Sequence, residues 1–191
     1  MVPRVTSLAP RIAAIAVVPA MVFGIGACSS NTATPAATSA TPSGTQAAQS
    51  GPTPSPTTLD GVTVSGALGI APTIVVTPNT PAPKALVTTD IYVGTGTQAV
   101  ETSTVTAQYS GVLLATGEPF NSSWADNDGQ PSTFPLDNVI PGWQKGIPGM
   151  KVGGRRLLII PSGLAYGAAG RPPAIPPNSP LVFVVDLVSV P

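Results

Sequence analysis

The sequence predicts an α+β domain, in which a small antiparallel sheet of about five strands curls around one short helix. Ser103–Gly111 alternates apolar and polar side chains, which is typical of a half-buried strand. Val139, Ile140 and Trp143 fall at i, i+1 and i+4, so one helical turn places them on a common face. Because so short a helix is marginal in water on its own, we expect it to pack against the sheet through Trp143.

The other strands flank this helix in the sequence. Pro135 fits an edge strand because proline has no N–H for a central ladder, and Pro161 ends the strand that follows the helix. The predicted strands are Lys84–Gly94, Ser103–Gly111, Phe134–Leu136, Arg155–Ile160 and Leu181–Val190. Polar, glycine and proline residues predict turns or loops elsewhere, namely the polar loop Phe120–Pro131, the helical turn Ser162–Tyr166 and the loop Gly167–Pro180.

The last strand is apolar on both faces, and large exposed apolar surfaces tend to be covered. The preceding segment Asp60–Pro83 has strand character, broken by glycine and proline. We therefore expect Val62, Val64 and Ile74–Val76 to pack over the strand's outer face or to add a strand beside it. The side chains expected to face the helix are Leu181, Phe183, Val185 and Leu187, and those expected on the outer face are Val182, Val184, Val188 and Val190.

The composition excludes several classes of function. Only 8% of the residues are charged and the formal net charge is zero, so we expect no nucleic-acid partner. The absence of histidine removes the commonest general base and metal ligand, and a single cysteine allows no intramolecular disulfide. The acidic residues are scattered, apart from Asp126 and Asp128. We therefore expect a reaction that needs no cofactor, no metal and no covalent intermediate.

The N-terminus has the pattern of an export signal. Arg4 and Arg11 form a short positive region, and Ile12–Ala27 is apolar but shorter than a comfortable membrane span of about 20 residues. The run Ile25–Cys28 resembles the bacterial lipobox, which implies cleavage before Cys28 and lipid attachment to its sulfur. A plain secretory signal with an incidental cysteine, or a signal anchor, remains the alternative.

Ser29–Thr58 contains no charge and no apolar side chain larger than alanine. Such a segment cannot bury enough surface to offset its ordering entropy, so we predict a disordered tether. The predicted organisation is a signal peptide at 1–27, a lipid-anchored tether at 28–58, an N-terminal extension that packs on the core at 59–83, and the main domain at 84–191.

A series of short motifs runs in a fixed order between Lys84 and Val190. They are Tyr109-Ser110-Gly111, Phe120-Asn121-Ser122-Ser123, Val139-Ile140-Pro141-Gly142-Trp143, Ala165-Tyr166-Gly167 and Ile175-Pro176-Pro177-Asn178. Each motif alone is weak, but the ordered series resembles the FKBP-type peptidyl-prolyl isomerases, and with Cys28 a bacterial lipoprotein member of that family. The resemblance implies a half-barrel sheet and a noncovalent isomerase that stabilises the twisted X-Pro amide in an apolar pocket.

The same resemblance implies the site. The substrate proline would lie on Trp143 at the pocket floor, and the Ile140 N–H and the Tyr166 hydroxyl would donate hydrogen bonds to substrate carbonyls. For each aromatic side chain, core packing is the alternative interpretation. The implied site residues are Tyr109, Phe120, Asn121, Val139, Ile140, Trp143, Tyr166, Ile175 and Phe183.

Three positions depart from the family's pattern. Asn121 stands where the family has an acidic residue near the pocket tyrosine, Ser132 where an aromatic often lines the site, and Arg171 is either a substrate contact or a solvated loop charge. A hydrogen bond to a charged group is worth about 1.5–3 kcal/mol, against about 0.5–1.5 kcal/mol for a neutral one. The missing charge at Asn121 therefore predicts a slower enzyme, weaker binding of macrolide inhibitors, and a kcat/KM that Asn121→Asp raises by a small factor.

Two functions follow from these observations. The first is an isomerase that assists the folding of secreted or envelope proteins. The second is a low-turnover module that binds proline-containing segments, and a pocket for a small hydrophobic ligand is a remoter third. The expected partners are proline-containing polypeptides and, through the lipid on Cys28, a membrane. We expect a monomer anchored outside the cytoplasm on the bacterial cell membrane.

Overall fold

The structure, a computed structural model, describes residues 55–191. The predictions for the signal segment, Cys28 and the tether up to residue 54 lie outside these residues. Within 55–191 no helix is long and apolar enough to cross a membrane.

The strands are β1 (Thr57–Leu59), β2 (Val62–Ser65), β3 (Thr73–Val76), β4 (Val87–Tyr92), β5 (Thr104–Leu113), β6 (Pro119–Ser122), β7 (Ser132–Pro135), β8 (Arg155–Ile160) and β9 (Leu181–Ser189), and the α-helices are α1 (Ser123–Asp126) and α2 (Pro141–Gly146). Single 3₁₀ turns lie at Leu136–Asn138 and Ser162–Leu164.

The larger sheet is antiparallel and is organised around β5. Strand β9 pairs along one side of β5, while β6 and β7 pair in succession along its other side. The strand order is β4-β8-β9-β5-β6, with β7 also beside β5. This arrangement confirms the predicted α+β fold, with six strands in this sheet where about five were expected.

The additional strand lies in Phe120–Pro131, where a polar loop was predicted, and that prediction is wrong. In β6, Ser122 pairs with Ser110 and Asn121 with Gly111, and the single turn of α1 follows directly. Polar composition concealed this strand because alternate residues of β6 are exposed.

Helix α2 lies close against β8 because glycines face the strand. Pro141 occupies the first helical turn, where its missing N–H is harmless. A Cβ atom added at Gly142 would lie 2.5 Å from the Ile160 side chain, and one at Gly146 would lie 2.7 Å from that of Leu158. The two glycines are four residues apart and therefore share one side of the helix. Trp143 lies with Ile160 and Leu158 in the main core cluster between helix and sheet.

The opposite face of the large sheet carries a second apolar cluster. Strands β1, β2 and β3 form a separate three-stranded sheet, whose Val62 and Val64 are only 0% and 2% exposed. Ile74 and Val76 are partly buried beside them, whereas Val75, which points the other way, is 56% exposed. This segment therefore covers the face by packing on it. The core residues it covers are Val112, Leu114, Leu157, Ile159, Val182 and Val184.

Two valines near the end of β9 do not lie on the face predicted for them. Val188 is 45% exposed, and Val190 packs with the main core cluster. Thr106 pairs with Ser189 and Ala107 with Leu187, so Val188 is an extra residue on β9. Such a bulge shifts the two-residue alternation, and the side chains beyond it change faces.

A buried ion pair attaches the N-terminal sheet's loop to the large sheet. Arg155 Nε lies 2.5 Å from Asp186 Oδ1, and the Arg155 side chain is fully buried. The same guanidinium donates to the carbonyl oxygens of Gly66 at 3.0 Å and Ile70 at 2.7 Å. A buried charge is tolerated when it is paired and hydrogen-bonded, and these contacts satisfy that requirement.

Candidate active site

A cavity of about 730 Å³ lies between α2, β5, β6 and the loop before β9. This volume suits a small ligand or a short peptide segment, since ligand pockets are typically about 300–1,000 Å³. All nine residues that were singled out from the sequence line this cavity. The remaining lining residues are Phe134, Asn138, Arg171, Pro172, Pro173 and Ala174.

The base of the cavity is an aromatic cluster around Trp143, which is 5% exposed. The rings of Tyr109, Phe134 and Phe183 contact the Trp143 ring edge to face, with centroid distances of 5.4, 5.3 and 5.2 Å. Edge-to-face contacts constrain the orientation of each ring. The four rings come from α2, β5, β7 and β9, so the fold itself assembles a well-defined apolar surface.

One wall of the cavity depends on a glycine in β5. Phe120 packs edge to face on Phe183, with ring centroids 5.4 Å apart. A Cβ atom at Gly111 would lie 2.7 Å from the Phe120 ring and 2.8 Å from the Phe183 ring. Gly111 follows Tyr109 by two residues, so both lie on the same face of the strand. In the Tyr-x-Gly motif the tyrosine thus contributes one ring to the cavity, and the glycine leaves room beside it for the rings of Phe120 and Phe183.

The polar part of the cavity centres on the Tyr109 hydroxyl. This hydroxyl donates to Asn121 Oδ1 at 2.6 Å, and Asn121 Nδ2 donates to Asp126 Oδ2 at 2.9 Å. Burial, and after it the Asp126 carboxylate and Tyr166, raise the pKa of Tyr109 above its ordinary value of 10.0, against an opposing effect of Arg171. The Tyr109 hydroxyl therefore remains a hydrogen-bond donor at neutral pH.

The backbone at Tyr109 is held by side chains where β5 passes from β6 to β7. The Tyr109 N–H donates to Ser123 Oγ at 2.8 Å, and Ser123 is 1% exposed. Ser123 Oγ in turn donates to Gln108 Oε1, and Gln108 Nε2 donates to the Gly129 carbonyl at 2.6 Å. These buried polar groups are therefore satisfied, and they fix α1 beside the cavity.

The rim of the cavity offers two further donors. Ile140 is the N-cap of α2, and its N–H donates to no acceptor within residues 55–191. The Tyr166 hydroxyl likewise has no hydrogen-bond partner in the described part of the chain, and its ring lies 5.9 Å from Arg171 Cζ. A ligand carbonyl can therefore accept from either group without displacing a contact within residues 55–191.

Across residues 55–191 no three His, Cys, Asp or Glu side chains cluster in a way that holds a metal ion.

Sequence reasoning missed two parts of the lining. Phe134 had been assigned only to an edge strand, although it pairs with Val105, which faces the core, and that pairing directs its ring inward. The loop segment Pro172–Ala174 contributes three lining residues beside Arg171, which had been weighed as a substrate contact, and no periodicity signals these three in a glycine- and proline-rich loop. Ser132 stands where an aromatic residue often lines the site in the family; it is half-buried and does not line the cavity.

Comparison with known proteins decides the family. The sequence profile of the FKBP-type peptidyl-prolyl cis-trans isomerases matches residues 95–188. A probable FK506-binding protein of Corynebacterium glutamicum is 51% identical over 109 residues, which cover 57% of this chain and 90% of the relative. The chain belongs to the FKBP-type family. It is therefore a peptidyl-prolyl cis-trans isomerase, and β5 to β9 with α2 fall in the region that this FKBP-type profile matches.

Further relatives agree with this assignment. An FK506-binding protein of Streptomyces anulatus is 49% identical over 111 residues, covering 56% of this FKBP-type chain and 88% of the relative. The crystal structure of a peptidyl-prolyl cis-trans isomerase from Pseudomonas syringae pv. tomato matches with a TM-score of 0.50 at 37% identity. That match covers 55% of this chain and 74% of the crystallised one.

Proposed function

We propose that the cavity around Trp143 is the isomerase active site, and that the enzyme assists the folding of exported and envelope proteins. The observation that carries the site assignment is the combination of a buried aromatic floor with two donors at its rim that have no acceptor within residues 55–191. Such a cavity accepts a proline ring and leaves the adjacent amide within reach of hydrogen bonds.

The chemistry requires no bond between enzyme and substrate. Rotation about the X-Pro bond meets a barrier of about 18–20 kcal/mol because amide resonance must be broken. The twisted amide is less dipolar than the planar amide, so it loses less on leaving water for an apolar pocket, and a preorganised donor stabilises it further. Speeding a step of tens of seconds to milliseconds requires roughly 5–6 kcal/mol, which these effects can supply together.

Each group has a specific role in this proposal. The proline ring packs on Trp143, while the Ile140 N–H and the Tyr166 hydroxyl donate to carbonyl oxygens of the substrate. A neutral hydrogen bond of this kind contributes about 0.5–1.5 kcal/mol. Val139, Ile175 and the phenylalanine rings complete the apolar walls, which exclude water from the rotating bond.

A protease-free isomerisation assay on an X-Pro peptide tests the site. Tyr166→Phe removes one donor and keeps the ring, so we expect kcat/KM to fall roughly 2- to 10-fold. Tyr92→Phe is the matched control because Tyr92 lies on β4 and does not line the cavity. Catalysis by the wild type that Tyr166→Phe leaves unchanged would contradict the assigned role. Peptide binding without any acceleration would instead favour the low-turnover binding module.

Macrolide binding belongs to the same proposal. Relatives of this chain carry the name FK506-binding protein. We expect the cavity to bind such macrolides, but weakly, because Asn121 carries no charge beside Tyr109. Calorimetric titration measures the affinity, with Tyr166→Phe as a variant that lacks one donor.

We also propose that Cys28 carries lipid and holds a monomeric enzyme on the outer side of the cell membrane. The lipobox-like run that ends at the only cysteine supports this localisation. Cys28→Ala should release the protein from the membrane fraction of a bacterial host. If the variant and the wild type are equally membrane-bound and uncleaved, a signal anchor is the better interpretation.

A further inference from the structure

Asp126 lies outside the cavity lining, yet its carboxylate is hydrogen-bonded to a residue that lines it. Asp126 Oδ2 accepts from Asn121 Nδ2 at 2.9 Å and from the Ser122 N–H at 2.9 Å. Both contacts are local, because Asp126 ends the single turn of α1 that directly follows β6. The carboxylate is therefore held at a fixed place behind Asn121.

This contact determines which way the Asn121 amide points. A carboxylate accepts hydrogen bonds and cannot donate them, so it selects the NH₂ group of Asn121 as its neighbour. The Asn121 oxygen must then face the other direction, where the Tyr109 hydroxyl donates to it at 2.6 Å. Tyr109 in turn stands edge-on to Trp143, with an interplanar angle of 86°.

We propose that Asp126 is a positioning residue, which acts through Asn121 to hold the Tyr109 ring against the Trp143 floor. This inference rests on the proposed function of the cavity as the active site. The pair of Asn121 and Asp126 places a carboxylate behind the side chain that accepts from the Tyr109 hydroxyl. The negative charge sits one hydrogen bond further from the cavity.

The proposal reverses the effect that the sequence alone predicts for Asn121→Asp. A carboxylate at position 121 would meet the Asp126 carboxylate where an N–H···O contact of 2.9 Å now lies. Like charges at this distance repel, so one side chain must turn away and the Tyr109 contact weakens. Asp126→Asn also weakens the arrangement, because the amide oxygen that would accept from Asn121 Nδ2 and the Ser122 N–H carries no charge, and hydrogen bonds to a neutral acceptor are weaker.

Exchanging the two side chains restores part of the pattern. In the double variant Asn121→Asp with Asp126→Asn, the carboxylate at 121 accepts from the Tyr109 hydroxyl and from the NH₂ group of the new amide, while the Ser122 N–H loses the oxygen that it donates to in the wild type. We expect each single variant to lower kcat/KM roughly 2- to 10-fold, and the double variant to recover most of the loss seen in Asn121→Asp. Asp128→Asn is the matched control. Asp128 lies two residues after Asp126, carries the same charge, and makes no side-chain hydrogen bond within residues 55–191.

The decisive comparison is kcat/KM for these five proteins, with thermal unfolding as a check on folding. Rescue in the double variant supports the positioning role when all five proteins have the same stability, because the changes in kcat/KM then cannot come from gain or loss of folded protein. An Asn121→Asp enzyme that is faster than the wild type, beside an unaffected Asp126→Asn enzyme, would overturn it.

A spectroscopic measurement keeps this test separate from the proposed function. We expect the Asn121 side-chain NH₂ resonances, assigned by their loss in Asn121→Asp, to be protected from exchange in the wild type and in Asp128→Asn, and to be less protected in Asp126→Asn, where the acceptor is neutral. Equal protection in all three proteins would overturn the inference even if the enzyme is active. If the three proteins show this difference in NH₂ protection but the wild type does not catalyse isomerisation, only the proposed function would be overturned.

Discussion

Replacing Val64 with alanine tests whether the N-terminal sheet contributes to the stability of the isomerase domain. Val64 is 2% exposed and lies against the outer face of the large sheet, whereas Val75 on the neighbouring strand β3 is 56% exposed. Val64→Ala and Val75→Ala therefore make the same chemical change at a buried and an exposed position of one small sheet.

The expected magnitude follows from the burial. Removing two carbon atoms from a buried side chain loses roughly 1.6 kcal/mol of transfer free energy, at about 0.8 kcal/mol per CH₂. The cavity that remains raises the loss to about 2–3 kcal/mol. For a domain of this size, that loss corresponds to a decrease in Tm of roughly 6–15 °C. Val75→Ala should stay within about 0.5 kcal/mol of the wild type.

Urea unfolding and thermal scans of both variants measure these changes. Equal effects of the two substitutions, or a loss below about 0.5 kcal/mol for Val64→Ala, would refute the stabilising role of this packing. A truncation that begins at Lys84 extends the test, because it uncovers the whole outer face and removes the Gly66 and Ile70 acceptors of Arg155. We expect it to self-associate or to unfold at much lower denaturant concentration, and a stable monomer would contradict that expectation.

Three further predictions concern the buried ion pair of Arg155 and Asp186, the packing of helix α2 on β8, and the pH dependence of catalysis. Asp186→Ala leaves Arg155 buried without its counter-ion and should cost about 3–5 kcal/mol of unfolding free energy, measured by urea titration. Gly142→Ala places a Cβ atom 2.5 Å from Ile160 and should cost about 1–3 kcal/mol while lowering kcat/KM, since α2 must move. Because the chain has no histidine and burial raises the pKa of Tyr109 above 10.0, kcat/KM should be flat from about pH 6 to 9. The neutral Tyr109 hydroxyl is favoured in the folded state, so its contribution to stability is present below pH 10 and is lost as the pH rises above that value.

Much of the fold could be predicted because its strands carry strong local patterns. The alternation of Val105 and Ala107 predicted the inward face of β5, and Pro161 marked the end of β8. The apolar character of β9 on both faces indicated that something covers its outer side, and β2 lies there. These patterns arise because burial imposes a two-residue period on a strand.

The errors have identifiable physical causes. Strand β6 was missed because its ladder with β5 involves backbone groups, and its four residues contain only one large apolar side chain, Phe120. Val188 and Val190 were assigned to the wrong face because a bulge depends on pairing with β5, which the sequence of β9 alone does not reveal.

Nine of the fifteen residues that line the cavity could be named from the sequence, but the hydrogen bonds among them could not. The nine residues named from the sequence come from six separate segments, and the fold brings all nine to one cavity. The partner of Asn121 was not predictable, because contact with Asp126 depends on the single turn of α1 in a segment expected to be a loop. The expected effect of Asn121→Asp changed sign for that reason.

The most direct test of the proposed active site is the cis-trans exchange rate of an X-Pro peptide, measured by NMR with wild-type protein and with Trp143→Leu. The leucine keeps the floor apolar and removes the aromatic surface on which the proline ring packs. We predict that the wild type accelerates exchange by several orders of magnitude and that Trp143→Leu loses at least roughly tenfold while still unfolding cooperatively. A folded Trp143→Leu protein that is as fast as the wild type would show that catalysis does not take place in this cavity.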